Sequence, residues 1–245
     1  MKKWTTVIAI LLFSTFTTSP TWSQETKLPK DVRWVTDSAE YIGLCMQTYD
    51  LALAKIKIAA KKQTRPWAVV LDIDETVLNN VQYEVERVAE GQGFTSESWT
   101  GWVERREATA IPGVKKFLDN VRALGENAYV VFITNRDAPH EKATMDNLKK
   151  LGLWHERDVL LCRQSKSDTK EVRRREIMQA SGRCAGLPRK NIIALFGDNL
   201  KDFYEVDASA GLENIRKNAM LDDRWGTQFF VLPNPMYGSW EREYK

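Results

Sequence analysis

Three short apolar runs in this chain each end at a polar cluster. The runs are residues 69–71, 130–133 and 192–196, and the clusters that follow them are residues 72–76, 134–136 and 197–202. Continuous apolar runs of this length, bounded by polar residues, are typical of strands buried on both faces. Ligands bind beyond the carboxyl ends of the strands of a parallel sheet. The sequence therefore predicts that the three clusters meet at one rim.

Strands and helices alternate from Trp67 to Leu232. Residues 24–35 are polar and read as a loose lead-in, and the predicted helices cover about 36–62, 114–125, 141–151 and 169–180. The predicted strands cover 67–71, 129–133, 159–162, 192–196 and 229–232. This alternation predicts an α/β fold with a parallel sheet and helices on both faces.

Residues 79–110 do not fit the alternation and read as an insertion. They are polar but carry Tyr83, Phe94, Trp99 and Trp102. An insertion directly after a strand that ends in candidate catalytic residues is expected to lie over the site as a small, mainly helical cap. The alternative is a surface helical hairpin whose aromatic side chains fill its own small core.

Carboxylates dominate the predicted rim. Asp72, Asp74, Asp198 and Asp202 would lie close together there, and carboxylates so crowded repel one another unless a hard cation lies among them. We interpret the cluster as a Mg²⁺ site beside a nucleophilic carboxylate. Asp72 is the predicted nucleophile, which attacks phosphorus to form an aspartyl-phosphate. Asp74 is the predicted acid and base.

Other polar residues at the rim suit the same chemistry. Thr134 and Asn135 offer a hydroxyl and backbone amides to the oxygens of a phosphoryl group. Lys170, near a helix N-terminus, is the preferred cation for the nucleophile and the phosphate, and Lys166 competes with it. Asp198 is a candidate Mg²⁺ ligand. Asp202 could bind the ion through water, orient Lys170 or simply favour a helix N-terminus.

Charge gives little support for nucleic-acid binding. The 245-residue chain has a formal net charge of +3, and Lys2 and Lys3 at the extreme N-terminus supply two of these charges. We therefore expect no nucleic-acid polymer as a partner. The basic run at residues 173–175 is predicted to be a solvated helix face.

Residues 1–23 have the pattern of a secretory signal peptide. Charged Lys2 and Lys3 precede an apolar stretch that runs from residue 7 toward residue 16, and cleavage is predicted after Ser23. The apolar stretch is shorter than the roughly 20 residues that a membrane span needs. We expect no stable membrane anchor, a single domain over 24–245, and a periplasmic or secreted location.

The three cysteines allow two interpretations. In an oxidising compartment Cys162 and Cys184 could pair, or all three, with Cys45, could be buried thiols. Their spacing argues against a zinc site.

With these motifs in view, the chain resembles the haloacid dehalogenase superfamily, and more closely its subfamily IIIB, the secreted class C acid phosphatases with four catalytic aspartates. The resemblance covers residues 72–76, 134–136 and 197–203, with the helix-borne lysine. It extends to residues 98–103, 111–114 and 232–240.

The resemblance implies a Rossmann-like core and a bound Mg²⁺. Asp72 and Asp198 would be ligands, and Asp74 would ligate through its main-chain carbonyl. It implies hydrolysis of small phosphomonoesters at acid pH, often nucleoside monophosphates, with the base stacked on aromatic side chains. The candidates for that stacking are Trp102 and Tyr237, followed by Tyr83 and Trp99.

The sequence thus predicts an exported Mg²⁺-dependent acid phosphatase, of the 5′-nucleotidase type, that acts through an aspartyl-phosphate. One alternative is a phosphotransferase on the same core, since an acceptor other than water can capture the intermediate. Another is an exported storage or binding protein with a vestigial site. The physiological substrate and the oligomeric state stay open at this level.

Overall fold

The computed structural model describes Met1 and residues 27–242. Its strands are β1 (Trp67–Leu71), β2 (Leu78–Asn79), β3 (Thr109–Ala110), β4 (Ala128–Asp137), β5 (Val159–Arg163), β6 (Asn191–Gly197) and β7 (Phe229–Val231). Its α-helices are α1 (Lys30–Asp37), α2 (Ala39–Ala60), α3 (Val81–Ala89), α4 (Ser96–Arg105), α5 (Val114–Arg122), α6 (Glu141–Lys150), α7 (Lys170–Gln179), α8 (Leu212–Leu221) and α9 (Ser239–Arg242). The predicted signal peptide, apart from Met1, lies outside the described residues.

Five parallel strands form the central sheet in the order β5-β4-β1-β6-β7. Side chains of β1 alternate between two cores, as the period of a strand requires. Trp67, Val69 and Leu71 join the core that contains α2 and α5, whereas Ala68 and Val70 join the core that contains α7. The α/β fold with helices on both faces is confirmed.

Helix α5 begins where the sequence indicated. Gly113 precedes it with a φ of 88°, a left-handed conformation that costs glycine nothing. The buried side chains of the helix are Val114, Phe117, Leu118 and Val121, which lie three or four residues apart and so form one apolar face.

The N-terminal segment differs from expectation. Residues 24–35 were predicted to be a loose lead-in, but α1 begins at Lys30 and buries Val32 and Val35. Ser38, which is extended, separates α1 from α2. Its side chain caps α2 by accepting a hydrogen bond from the Tyr41 amide. An isolated helix as short as α1 is marginal in water, so it depends on packing that the local sequence does not show.

The buried face of α2 contains two tyrosines. It consists of Tyr41, Cys45, Tyr49, Ala52 and Ile56. Three aliphatic residues of the helix are exposed instead, namely Ile42, Leu44 and Leu51. The tyrosines can be buried because the ring packs against apolar neighbours while the hydroxyl forms a hydrogen bond. The Tyr49 hydroxyl donates to the Thr76 carbonyl, which joins α2 to the loop after β1.

The insertion (residues 79–110) consists mainly of α3 and α4. It is closed by the antiparallel pair β2–β3, in which Leu78 faces Ala110. A capping box between Thr95 and Ser98 starts α4. Helix α1 packs against α3. No helix within the described part of the chain is both long enough and apolar enough to cross a membrane.

Candidate active site

The three predicted clusters meet at the carboxyl ends of β1, β4 and β6. They border a cavity of about 340 Å³. Its lining includes Asp72, Asp74, Asn135, Arg163, Lys170, Asp198, Asn199, Lys201, Asp202 and Tyr237. A cavity at this edge of a parallel sheet is the expected position for a ligand.

The chain turns sharply after β1. The Asp72 amide donates to the Phe196 carbonyl of β6 at 3.0 Å, which still continues the sheet. The amides of Val77 and Leu78 both donate to the Ile73 carbonyl at 2.8 Å, which closes a tight loop. Glu75 has a φ of 55° in this loop, a conformation that is uncommon for a residue other than glycine. The turn lets Asp72 and Asp74 both border the cavity.

Three carboxylates converge on one point. Asp72, Asp198 and Asp202 each offer an oxygen that lies within 4.8 Å of the other two. The Lys170 ammonium contacts Asp72 and lies 2.6 Å from Asp202 Oδ1. Lys170 occupies the first turn of α7, which the Thr169 hydroxyl caps by accepting from the Val172 amide.

Lysine 170, and not Lys166, is therefore the cation at the carboxylates. Lys170 is 7% exposed, whereas Lys166 lies on the surface.

Burial and mutual repulsion shape the electrostatics of this cluster. Burial raises the pKa of Asp72 to about 7, although Lys170 acts in the opposite direction. Burial, Asp202 and Asp72 hold the pKa of Asp198 well above its usual range. Burial alone would lower the pKa of Lys170, but Asp202 and Asp72 outweigh burial and raise it. The Lys170 ammonium thus does not fully compensate the crowded carboxylates.

This donor set fits a hard divalent cation. Carboxylate oxygens are the ligands that Mg²⁺ prefers, and three of them lie within reach of one ion. The predicted ligands Asp72 and Asp198 belong to this group. The Asp198 carboxylate also accepts a hydrogen bond of 2.8 Å from Nδ2 of the Asn234 side chain, which orients it.

The Asp74 carboxylate lies apart from the other three and has its own partners. Arg136 donates to it through Nη2 at 2.7 Å and through Nε at 3.0 Å, and Asn80 Nδ2 donates at 2.9 Å. Asp74 thus pairs with Arg136 and Asn80, whereas Asp72 and Asp202 pair with Lys170. This difference in partners is compatible with a role for Asp74 that differs from that of Asp72.

Thr134 and Asn135 lie at the rim but differ in access. Thr134 is fully buried, and its hydroxyl accepts from the Arg136 amide at 3.1 Å. Asn135 lines the cavity, and its Oδ1 accepts from Arg173 Nη2 at 2.7 Å. Because a guanidinium can only donate, this bond directs the amide donor of Asn135 away from Arg173.

Of the four aromatic candidates for substrate stacking, Tyr237 alone lines the cavity. Its hydroxyl donates to Glu75. Tyr83 and Trp102 are each 2% exposed, and Tyr83 packs edge-on against the partly buried Trp99. The alternative interpretation of the insertion, that its aromatic side chains fill its own core, describes these three positions better.

Sequence reasoning missed several buried polar residues around the site. The run at 173–175 was predicted to be solvated, but Arg173 is 0% and Arg174 is 4% exposed. Arg174 Nη1 donates to the Asp202 carbonyl at 2.7 Å. Glu75, in the loop after β1, and Asn80, just after β2, are also buried. A basic run close to Lys170 was the available signal in the sequence, and the charge pattern by itself favoured a surface position.

Solved structures with this fold are known. The chain is similar to the class C acid phosphatase from Bacillus anthracis, with 32% identity, a TM-score of 0.73, and coverage of 86% of this chain and 85% of that one. For the class C acid phosphatase from Bacillus anthracis with tungstate bound, the TM-score is 0.76 at 32% identity, with 88% of each chain covered.

Curated relatives are more distant. Acid phosphatase 1 of Solanum lycopersicum is 26% identical over 175 residues, which are 69% of this chain and 57% of that protein. The stem 31 kDa glycoprotein of Glycine max is 25% identical over 173 residues, which are 69% of this chain and 58% of that protein. The chain thus spans a little under three fifths of the length of these relatives.

A family model adds the decisive comparison. The model described as HAD superfamily, subfamily IIIB (Acid phosphatase) matches residues 14–240, which include the whole sheet and the cavity. The chain therefore belongs to subfamily IIIB, the acid phosphatases, of the haloacid dehalogenase superfamily.

Proposed function

We propose that this chain is an exported Mg²⁺-dependent acid phosphatase that hydrolyses phosphomonoesters through an aspartyl-phosphate on Asp72. One observation carries the proposal. The Asp72 carboxylate lies at the end of β1 in contact with Lys170, inside a three-carboxylate cluster, while Asp74 is held separately two residues on.

Asp72 is the nucleophile in this proposal. A carboxylate oxygen attacks phosphorus, the bond from phosphorus to the ester oxygen breaks, and Asp74 gives its proton to the leaving alkoxide. Asp74 then removes a proton from the water that attacks the aspartyl-phosphate. Phosphate leaves, and Asp72 is restored.

Several side chains would assist by charge and orientation. Asp72, Asp198 and the Asp74 main-chain carbonyl would hold Mg²⁺. When bound, the ion would offset negative charge on the phosphoryl oxygens and on Asp72. Lys170 adds a positive charge against Asp72, and the amide donor of Asn135 is available for a phosphoryl oxygen.

Three further points belong to the proposal. Tyr237, at the cavity wall, supports an aromatic leaving group such as a nucleoside. The Bacillus anthracis class C acid phosphatase binds tungstate, a tetrahedral oxyanion, which supports a phosphoryl site in this chain. Export is supported by the charged and apolar pattern at residues 1–23, and mass spectrometry of the mature N-terminus tests the cleavage after Ser23.

The first test of function compares Asp72→Asn with the wild-type chain. Release of phosphate is measured from an aryl phosphate and from a set of nucleoside monophosphates. We expect kcat of the variant to fall at least about 10³-fold, because the covalent step is lost. Retention of more than about one per cent of the wild-type kcat would refute the assignment of the nucleophile.

A matched control is Asp50→Asn. Asp50 is an exposed carboxylate on α2 that does not line the cavity, and it pairs with Lys116 at 3.4 Å. This variant should keep the wild-type rate, because it changes the same functional group without touching the cavity.

The metal requirement is tested by demetallation. Chelation should abolish turnover of the wild-type chain, and added Mg²⁺ should restore it. Full activity in a thoroughly demetallated sample would contradict the Mg²⁺ part of the proposal. Binding of nucleotide without any phosphate release would instead favour a storage or binding protein.

A further inference from the structure

The Asp74 carboxylate accepts hydrogen bonds from the side chains of Arg136 and Asn80. The Arg136 guanidinium forms a fork on its carboxylate, with Nη2 at 2.7 Å and Nε at 3.0 Å from Oδ1, and Nε also 3.2 Å from Oδ2. Asn80 Nδ2 adds a third donor to Oδ1 at 2.9 Å. Oδ1 thus accepts three hydrogen bonds, and Oδ2 accepts only the longer contact from Nε.

The Asn80 amide has one chemically acceptable orientation. Its Oδ1 accepts from Trp102 Nε1 at 2.8 Å and from Arg136 Nη2 at 3.3 Å, and both of these groups are donors only. Its Nδ2 faces the carboxylates of Asp74 and Glu75, which accept at 2.9 and 3.0 Å. A flipped amide would oppose donor to donor and oxygen to carboxylate. Since Asn80 is fully buried, water cannot relieve such a mismatch.

Helix α4 of the insertion contacts both partners of Asp74. Trp102 donates to Asn80, and the Arg136 guanidinium lies over the Trp99 ring, 5.6 Å from its centroid. Trp99 and Trp102 are three residues apart, so they project from the same side of the helix. Helix α4 therefore contacts the hydrogen-bonded partners of Asp74, one within the insertion and one on β4, and does not only fill the core of the insertion.

We propose that Trp102, Asn80 and Arg136 are positioning residues that fix the Asp74 carboxyl group for proton transfer to the leaving group. This inference rests on the function proposed above. The three donors occupy Oδ1, so Oδ2 is the oxygen that gives its proton to the ester oxygen as the bond to phosphorus breaks. Trp99 and Trp102 then influence catalysis through Arg136 and Asn80, and they do not form a stacking surface for substrate.

The leaving group provides a readout that a loss of structure would not imitate. An alkyl phosphate expels a strongly basic alkoxide and needs the proton, whereas 2,4-dinitrophenyl phosphate expels a stable anion and hardly needs it. The parameter kcat/KM covers the steps up to release of the alcohol, so later hydrolysis of the aspartyl-phosphate does not enter it.

The variant that tests the inference is Trp102→Phe, which removes the Nε1 donor and keeps an aromatic ring. With the full chain and Mg²⁺, we expect kcat/KM for the alkyl ester to fall about tenfold or more and that for the dinitrophenyl ester to change less than about twofold. Arg136→Lys keeps the positive charge but loses the forked hydrogen bonds to Asp74. It should therefore shift the ratio of the kcat/KM values for the two esters in the same direction.

Two comparisons complete the experiment. Ser98→Ala removes the hydroxyl that pairs with Tyr83 at 2.9 Å in the same insertion, so it loosens α4 without contacting Asn80. It should leave the ratio of the kcat/KM values for the two esters unchanged. In an Asp74→Asn background, Trp102→Phe should have no further effect on that ratio, because the group that it positions is already gone.

Equal losses for both esters in Trp102→Phe and Arg136→Lys would overturn the inference. A ratio changed as much by Ser98→Ala would overturn it too, since general loosening of the insertion would then explain the effect. Failure of the proposed function has a different signature, namely no release of alcohol from either ester by the wild-type chain.

Discussion

At the residue scale, the position of Asp202 depends on the absence of a side chain at Gly197. A Cβ atom built on Gly197 would lie 2.1 Å from Asp202 Oδ2 and 2.2 Å from Asp202 Cβ. The Asn199 amide holds Oδ2 at 2.9 Å and Lys170 holds Oδ1 at 2.6 Å, so the side chain cannot turn away without losing both. Glycine at the end of β6 is therefore a requirement of the site.

Gly197→Ala should lower kcat on the order of 10²-fold, because Asp202 belongs to the proposed catalytic cluster and a displacement of about 1 Å in such a group has effects of that size. Gly43→Ala is the control. Nothing lies within 4 Å of a Cβ at Gly43, so this change should stabilise α2 by about 0.5–1 kcal/mol and leave kcat unchanged. Steady-state kinetics and thermal unfolding measure both. Wild-type activity of Gly197→Ala would contradict the close packing described here.

The basic run shows where sequence reasoning reaches its limit for single residues. Arg173 is buried, donates to the Leu161 carbonyl at 3.2 Å and to Asn135 Oδ1 at 2.7 Å, and also bonds the Thr134 carbonyl. These acceptors belong to β4 and β5, and no local pattern around residue 173 reveals them. Asp72, Asp198 and Lys170 could be predicted because each lies at a recognisable strand or helix end.

Within the basic run, Arg173→Met should lower the free energy of unfolding by about 2–4 kcal/mol, since it leaves buried acceptors without donors. Arg175→Met is the matched control, because Arg175 is exposed and the change there should stay within about 0.5 kcal/mol. Chemical denaturation measures both variants. Equal effects at the two positions would mean that Arg173 is solvated after all.

At the element scale, β6 supports the site from the centre of one core. Its Phe196 ring packs against Tyr49, Phe117 and Phe230, with centroid distances of 5.9, 4.9 and 5.1 Å. The residue after it is Gly197, so the packing of this ring fixes the strand end that carries the carboxylates. Strand positions could be predicted because each is a continuous apolar run. The buried face of α2 could not be predicted, because its two buried tyrosines form hydrogen bonds with residues distant in sequence.

Phe196→Ala should lower the free energy of unfolding by about 3–5 kcal/mol through lost burial and a residual cavity. Phe94→Ala, in the insertion, removes a ring that is 67% exposed and should change stability by less than about 0.5 kcal/mol. Both are measured by denaturant titration. A small effect at Phe196 would contradict its place in the core.

At the scale of the whole molecule, the fold brings together groups that lie far apart in the chain. Asp74 and Arg136 are 62 positions apart, and Asp72 and Lys170 are 98. The alternating strands and helices were enough to predict the parallel sheet and the convergence of the clusters. The buried partners Asn80, Arg136 and Trp102 could not be predicted, because their burial is stable only once every hydrogen bond among them is made.

The thiols give a test of the packing of the molecule as a whole. Cys45, Cys162 and Cys184 are buried and unpaired, so the question of a bridge is answered by three free thiols. Burial raises the pKa of Cys45 to about 11 and that of Cys162 to about 12. Since the thiolate is the reactive form, a thiol reagent at neutral pH should react very slowly with the native chain and with all three cysteines after unfolding. Detection of only one thiol in denaturant would show that two of them are bridged.

The aspartyl-phosphate is the central claim, and trapping it is the most direct test. The enzyme is mixed with a ³²P-labelled aryl phosphate and Mg²⁺, quenched in acid within the first turnover, and digested for mass spectrometry. We predict a labelled phosphoryl group on the peptide that contains Asp72, and no label in the Asp72→Asn variant. Label of equal amount in that variant, or on a different residue of the wild-type chain, would contradict the account.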